Sequence, residues 1–84
     1  MLSIHYFASV REALGQAEQR IERPKDVITV ADLQAYLAGQ NSAFKTLMDS
    51  SAQLMVAVNQ TVVDGTYQLT EDDEVAFFPP MTGG

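Results

Sequence analysis

The 84-residue chain carries 11 Asp plus Glu against 5 Lys plus Arg, a formal charge of −6, with 46% hydrophobic residues and no cysteine. Disulfide staples, thiolate zinc sites, iron–sulfur clusters and a cysteine nucleophile are thereby excluded, and area scaling leaves one small core, about 63% of the unfolded surface being buried, which rules out two domains. Nucleic acid and anionic membrane repel such a charge, no apolar run nears the roughly 20 residues of a bilayer span and no signal block opens the chain, so a soluble cytoplasmic protein with a basic protein partner is expected.

Residues 2–8 alternate, with Leu2, Ile4 and Tyr6 on one side and Ser3, His5 and Phe7 on the other, which predicts a first strand. Ser9 and Glu12 match the S-x-x-E capping box, Val10 and Leu14 stand four apart, and Gly15 suits a left-handed helix end, so one short helical turn follows. Residues 17–23 are polar around Ile21 and close at Pro24, the composition of a charged edge strand. Thr29 with Asp32 starts the main helix, on which Val30, Leu33, Tyr36 and Leu37 recur until Gly39 stops the run. Phe44, Leu47 and Met48 predict a second, shorter helix or an irregular extension after Asn41 and Ser42.

Residues 54–58 form an unbroken apolar run, expected as a central strand covered on both sides, and residues 59–61 as a turn. Val62 and Val63, then Asp64-Gly65, then Tyr67 and Leu69 read as a short strand, a turn and an irregular return. Residues 70–73 make a polar turn before the last strand, residues 74–78, which Pro79-Pro80 ends because two missing N–H donors cannot sit in a ladder. The compact solution is α+β, a mixed sheet rolled around one main helix, in one domain over residues 1–84 with a flexible tail, residues 81–84.

Most catalytic chemistry is absent from this sequence. His5 is the only histidine, so a multi-histidine metal site is unavailable, and the imidazole reads as structural or solvent-facing. Glu71, Asp72, Asp73 and Glu74 lack the spacing of a calcium loop and read as a solvated turn, whose functional use would be steering toward a basic partner. Neither phosphate-binding glycine motif occurs, and no bound cofactor or metal is expected. An independent catalytic pocket does not fit so small a core.

The C-terminus differs. Two final glycines have a chance probability of about 0.005 at average usage, and four residues from Met81 span at most about 14 Å, enough to bring a terminal carboxylate into another protein's active site. Glycine suits that task because it passes a narrow channel without a Cβ. On the last strand Val75 and Phe77 point one way, Ala76 and Phe78 the other, so one aromatic lies on each face; the sequence does not settle which ring is buried, but parity with Val75 favours Phe77 for the core, and Phe78 with Phe7 would then be docking aromatics.

The segments Phe7-Ala8-Ser9-Val10-Arg11-Glu12, Val58-Asn59-Gln60, Leu69-Thr70, Asp73-Glu74-Val75-Ala76-Phe77-Phe78-Pro79-Pro80 and Thr82-Gly83-Gly84 resemble the MoaD family of sulfur carriers, the small subunits of molybdopterin synthase. The resemblance implies a ubiquitin-like β-grasp fold. It implies that the Gly84 carboxylate is adenylated by an E1-like activating enzyme using ATP, receives sulfur from a sulfurtransferase and becomes a thiocarboxylate. The tail then enters the large synthase subunit, in a heterotetramer, and delivers sulfur to cyclic pyranopterin monophosphate for the dithiolene that will hold molybdenum. Gly84 would be the carried group, Pro79, Pro80, Met81, Thr82 and Gly83 its guide, and Phe7 and Phe78 the docking aromatics. The chain would not be catalytic alone, the acid–base residues lying on the large subunit. Three alternatives differ from this: a thiamine-type carrier (ThiS), usually shorter and without Phe-Phe-Pro-Pro; a protein modifier joined through Gly84; and an interaction domain with a merely disordered tail.

Overall fold

The computed structural model describes residues 1–49 and 54–80. In chain order the elements are β1 (Leu2–Tyr6), α1 (Ala8–Leu14), β2 (Glu18–Ile21), α2 (Val30–Gln40), α3 (Ser42–Asp49), β3 (Met55–Val58), β4 (Thr61–Val63) and β5 (Glu74–Phe78). The strands form one mixed sheet in the order β2-β1-β5-β3-β4. β1 and β5 run parallel, with Ile4 opposite Val75 and Tyr6 opposite Phe77, and all other pairs are antiparallel. The last strand therefore occupies the middle of the sheet, as the separation of two apolar strands at opposite ends of the sequence requires.

Period-2 alternation turns one face of this sheet toward the helices. Leu2, Ile4 and Tyr6 from β1, Val75 and Phe77 from β5, and Val56 and Val58 from β3 are buried there with Val10, Val30, Leu33, Leu37 and Phe44 from the helices. Phe44 meets Phe77 edge-on, ring centroids 5.2 Å apart at 80°, and Tyr6 stacks with Phe77 at 6.3 Å. Full burial of a side chain of this size is worth about 2–3 kcal/mol, so Phe77 is a keystone of the core, as its parity with Val75 predicts.

The start of α2 follows its sequence: the Thr29 hydroxyl accepts the Asp32 N–H at 3.2 Å, and the Asp32 carboxylate accepts the Thr29 and Ile28 N–H groups at 3.0 Å. Those bonds hold the Asp32 carboxyl below its ordinary range. Two other expectations about helix ends fail. α2 does not stop at Gly39 but runs through Gln40, because Asn41 donates its N–H to the Leu37 carbonyl while its side-chain oxygen accepts from Ala43 and Phe44, closing one helix and opening the next. The Ser9–Glu12 capping box does not form: α1 starts earlier, its N-cap is Phe7, and no side chain caps it. The Phe7 N–H donates to the Phe77 carbonyl at 3.1 Å and the Phe7 carbonyl accepts from Val10 and Arg11, so a long-range sheet bond sets this corner, and Ala8 takes a φ of 51° to make it. The helical segment is also a full seven residues, and Gly15 ends it at φ 71° as expected.

β3 and β4 are joined by Asn59-Gln60 alone, with φ values of 50° and 70°, the signature of a two-residue type I′ hairpin. Thr61, expected in the turn, belongs to β4. β3 is an interior strand, paired with β5 on one side and β4 on the other, and Val56, Ala57 and Val58 are all buried, as the unbroken apolar run predicts. Among the described residues, no helix is long and apolar enough to cross a membrane.

Candidate functional site

The face of the sheet turned away from the helices carries the other parity of each strand. Register places Glu18, His5, Ala76, Ala57 and Val62 in one row across all five strands. The next positions toward the C-terminal end of β5 are Phe7, which follows Tyr6 in extended conformation, then Phe78 and its partner Met55. Phe7 is 51% exposed and Val62 58%, whereas Phe77, one residue before Phe78, is fully buried. Phe78 and Met55 are half-buried. Apolar side chains thus lie open at two places on this face, Phe7 after β1 and Val62 on the edge strand β4, with Met55, Ala76 and Phe78 half-buried and Ala57 buried between them, and Phe78 is the last strand residue before the chain leaves the sheet.

Pro79 and Pro80 follow directly on Phe78, half-buried and exposed respectively, and neither extends β5. Phe7 and Phe78 are brought to the same end of the same face, and both prolines to its margin. The remaining expected site residues, Met81, Thr82, Gly83 and Gly84, lie outside the described residues.

His5 lies beside Phe7 on this face, in a setting the sequence did not reveal. Its ring stacks on that of Phe7 with centroids 6.4 Å apart and planes 19° from parallel. Nδ1 is 3.7 Å from Glu18 Oε2 and Nε2 is 3.7 Å from Glu74 Oε2, so each nitrogen faces a carboxylate from a different neighbouring strand. Strand parity places His5 beside Phe7, but the two carboxylates come from β2 and β5, and only register brings them there. The nitrogens point to opposite sides, so the three groups do not converge on a point. Among the described residues, no group of three His, Cys, Asp or Glu side chains could hold a metal ion.

The acidic run before β5 also differs from the sequence expectation. Glu71 and Asp72 are exposed, but Asp73 is only 6% exposed and is a structural hub rather than part of a solvated turn. Its carboxylate accepts the Thr70 N–H and Thr70 hydroxyl, both at 2.8 Å, and the Asn59 side-chain amide at 2.9 Å. Burial pushes this carboxyl up, but the three hydrogen bonds outweigh it and hold it below its ordinary range. The missed signal was the pairing of Asn59 with Asp73, 14 residues later.

Comparison with known proteins adds the family. The ThiS family model matches residues 4–84. The chain is 40% identical to the molybdopterin synthase sulfur carrier subunit of Escherichia coli strain K12, over all of both chains, and 33% identical to that of Haemophilus influenzae, again over all of both. Its fold is similar to that of SAMP1 from Haloferax volcanii, with a TM-score of 0.82, 24% identity, and 99% of this chain and 98% of that one covered.

Proposed function

The chain belongs to the ThiS family, and from that membership we propose how it acts. It is a sulfur carrier subunit of molybdopterin synthase and serves molybdenum cofactor biosynthesis, which implies a large-subunit partner. The observation that carries this is the end-to-end likeness, at 40% identity, to the Escherichia coli carrier subunit.

The working atom is the carbonyl carbon of Gly84. A carboxylate is a poor electrophile, so an E1-like enzyme adenylates it with ATP and releases pyrophosphate; persulfide sulfur from a sulfurtransferase then displaces AMP, and a thiol reductant cleaves the resulting acyl disulfide to leave a thiocarboxylate. Its sulfur is a far better nucleophile than carboxylate oxygen; within the large subunit it forms a C–S bond to cyclic pyranopterin monophosphate as an oxygen substituent leaves that carbon, and water then cleaves the carrier–pterin thioester, which returns the Gly84 carboxylate and leaves one sulfur of the dithiolene. General acid–base groups come from the large subunit. Pro79, Pro80, Met81, Thr82 and Gly83 guide the tail, and Phe7 and Phe78 dock the globular part. The docking reading is supported by two aromatics on one open face, next to the strand end from which the tail departs.

Intact mass after co-expression with the activating enzyme tests this. One oxygen exchanged for one sulfur is expected. An unchanged mass overturns the reading, and lysine adducts would support a protein modifier instead. Deleting Gly84 should abolish sulfur transfer while leaving cooperative unfolding as it is; loss of cooperativity would mean that the tail is part of the core.

A further inference from the structure

Charged side chains keep most partners off an edge strand, but the order of signs along β2 is its own complement. We propose that β2 is a self-recognition edge, at which two copies of the chain pair antiparallel about a two-fold axis through Gln19 and extend the five-stranded sheet to ten strands. β2 ends the sheet, with β1 on its inner side. The Tyr6 N–H donates to the Ala17 carbonyl at 2.8 Å, while the Ser3 and Phe7 N–H groups donate toward β5, to the Asp73 and Phe77 carbonyls at 3.1 Å. Even-numbered residues of β1 therefore bond to β2, and the register of Ile4 with Gln19 and Leu2 with Ile21 makes Gln19 and Ile21 the residues that bond back. The N–H and C=O groups of Glu18 and Arg20 turn outward, and both residues are exposed. The opposite edge, β4, is three residues long, and only Val62 turns its backbone outward there.

Outward groups must meet outward groups, so a two-fold pair centres on a residue, and the side chains choose which one. Centred on Gln19, Glu18 of each copy faces Arg20 of the other, which gives two oppositely charged pairs and four backbone hydrogen bonds. Centred on Glu18 or on Arg20, that residue faces its own charge, and in the second case Glu18 also faces Glu22. Centred on Ile21, Arg20 faces Glu22, but Glu18 faces Pro24, which has no N–H. Among the described residues Arg20 forms no ion pair within its own chain, so its guanidinium is available. The two Gln19 side chains meet at the axis; the Tyr6 hydroxyl engages each side-chain oxygen at 2.9 Å, which leaves the amide N–H groups for the other copy. A formal charge of −6 opposes the meeting of two copies, yet salt at about 0.15 M screens it beyond about 8 Å while the paired side chains are in contact. Four strand residues a side fall well short of the roughly 20–30 of a stable complex, so the pair is transient, with a Kd of about 0.1–1 mM. It uses neither Phe7 nor Phe78.

Translational diffusion and amide spectra of the full chain, followed by NMR from about 0.05 to about 2 mM in about 0.15 M salt, test this. Diffusion should slow with concentration, and the largest amide shifts should fall on Glu18 and Arg20. Arg20→Glu and Glu18→Arg should each weaken association at least about tenfold, because each sets like charges opposite one another at both ends of the joint. An equimolar mixture of the two variants should associate again, since one end then keeps the original pair and the other carries its reverse. Both reversals in one chain should restore association as well. Unfolding midpoints of all variants should stay near that of the parent, because both side chains are exposed. A parent chain that stays monomeric at about 2 mM, shifts confined to other strands, single variants that associate as the parent does, or no recovery in the mixture and in the double reversal overturns the proposal.

Discussion

Asn59 and Asp73 lock the β3–β4 hairpin to the entry of β5: the Asn59 side-chain amide donates to the Asp73 carboxylate at 2.9 Å, while its side-chain oxygen accepts the Glu74 N–H at 3.0 Å. The Asp73 backbone carbonyl takes the Ser3 N–H at 3.1 Å, so the same residue also ties β1 in place.

Asp73→Ala should destabilise the protein by about 1–3 kcal/mol, because it leaves the Asn59 amide and the Thr70 N–H and hydroxyl without their acceptor. The folded carboxyl titrates below the ordinary 3.8, so the unfolded chain takes the proton first on acidification. The stability Asp73 contributes is fully present above the ordinary value and is lost as pH falls through the folded one. Denaturant titrations from neutral pH downward should show an acid limb below about pH 4 that is shallower in the variant.

What could be read from the sequence was what local physics decides. The alternation of Leu2, Ile4 and Tyr6, the Thr29–Asp32 capping box, the left-handed Gly15 and the burial of Phe77 each depend on residues within a few positions. What escaped depends on pairing across the sheet. The Ser9–Glu12 motif had a plausible local form but lost to the Phe7–Phe77 backbone bond, and Asp73 looked solvated until Asn59 was placed beside it. His5 between two carboxylates is the same kind of miss, since β2 and β5 lie on opposite sides of β1 and Glu18 and Glu74 belong to strands far apart in sequence. The motif Val58-Asn59-Gln60 with Asp73-Glu74 served as a family signature, and much of it is explained by the hairpin and its lock.

Tyr6 sets the alkaline limit. Burial pushes its phenol up to about 12 from an ordinary 10.0, and its hydroxyl donates to Gln19 Oε1 at 2.9 Å. Because the folded value is raised, the contribution is intact below the ordinary value and is lost as pH rises through the folded one. Unfolding free energy should fall between about pH 10 and 12. Tyr6→Phe should cost about 1 kcal/mol at neutral pH and flatten that fall; an unchanged alkaline limb would place the loss elsewhere.

Two backbone positions should accept stabilising changes. Gly39 lies inside α2, and a Cβ there would meet nothing within 4 Å, so Gly39→Ala should raise stability by about 0.5–1 kcal/mol. Gln60 sits at φ 70° in the second position of the type I′ turn, where Asn-Gly is the preferred pair; Gln60→Gly should be stabilising by a few tenths of a kcal/mol or more. The two sites share no element, so thermal or urea midpoints of the double variant should show nearly additive gains.

Phe77 and Phe78 offer the sharpest contrast between core and surface. Phe77→Ala removes a fully buried ring that contacts both Tyr6 and Phe44 and should cost about 3–5 kcal/mol of stability. Phe78→Ala lies on the opposite face, so its effect on stability should be far smaller, while affinity for the large subunit should drop by roughly 2 kcal/mol or more if the ring anchors docking. Phe7→Ala should behave like Phe78→Ala, since Phe7 is 51% exposed and occupies the same end of that face. Paired measurements of urea midpoint and large-subunit affinity separate the outcomes. A loss of stability in Phe78→Ala without a loss of affinity would make that ring a packing residue and shift the docking surface away from β5.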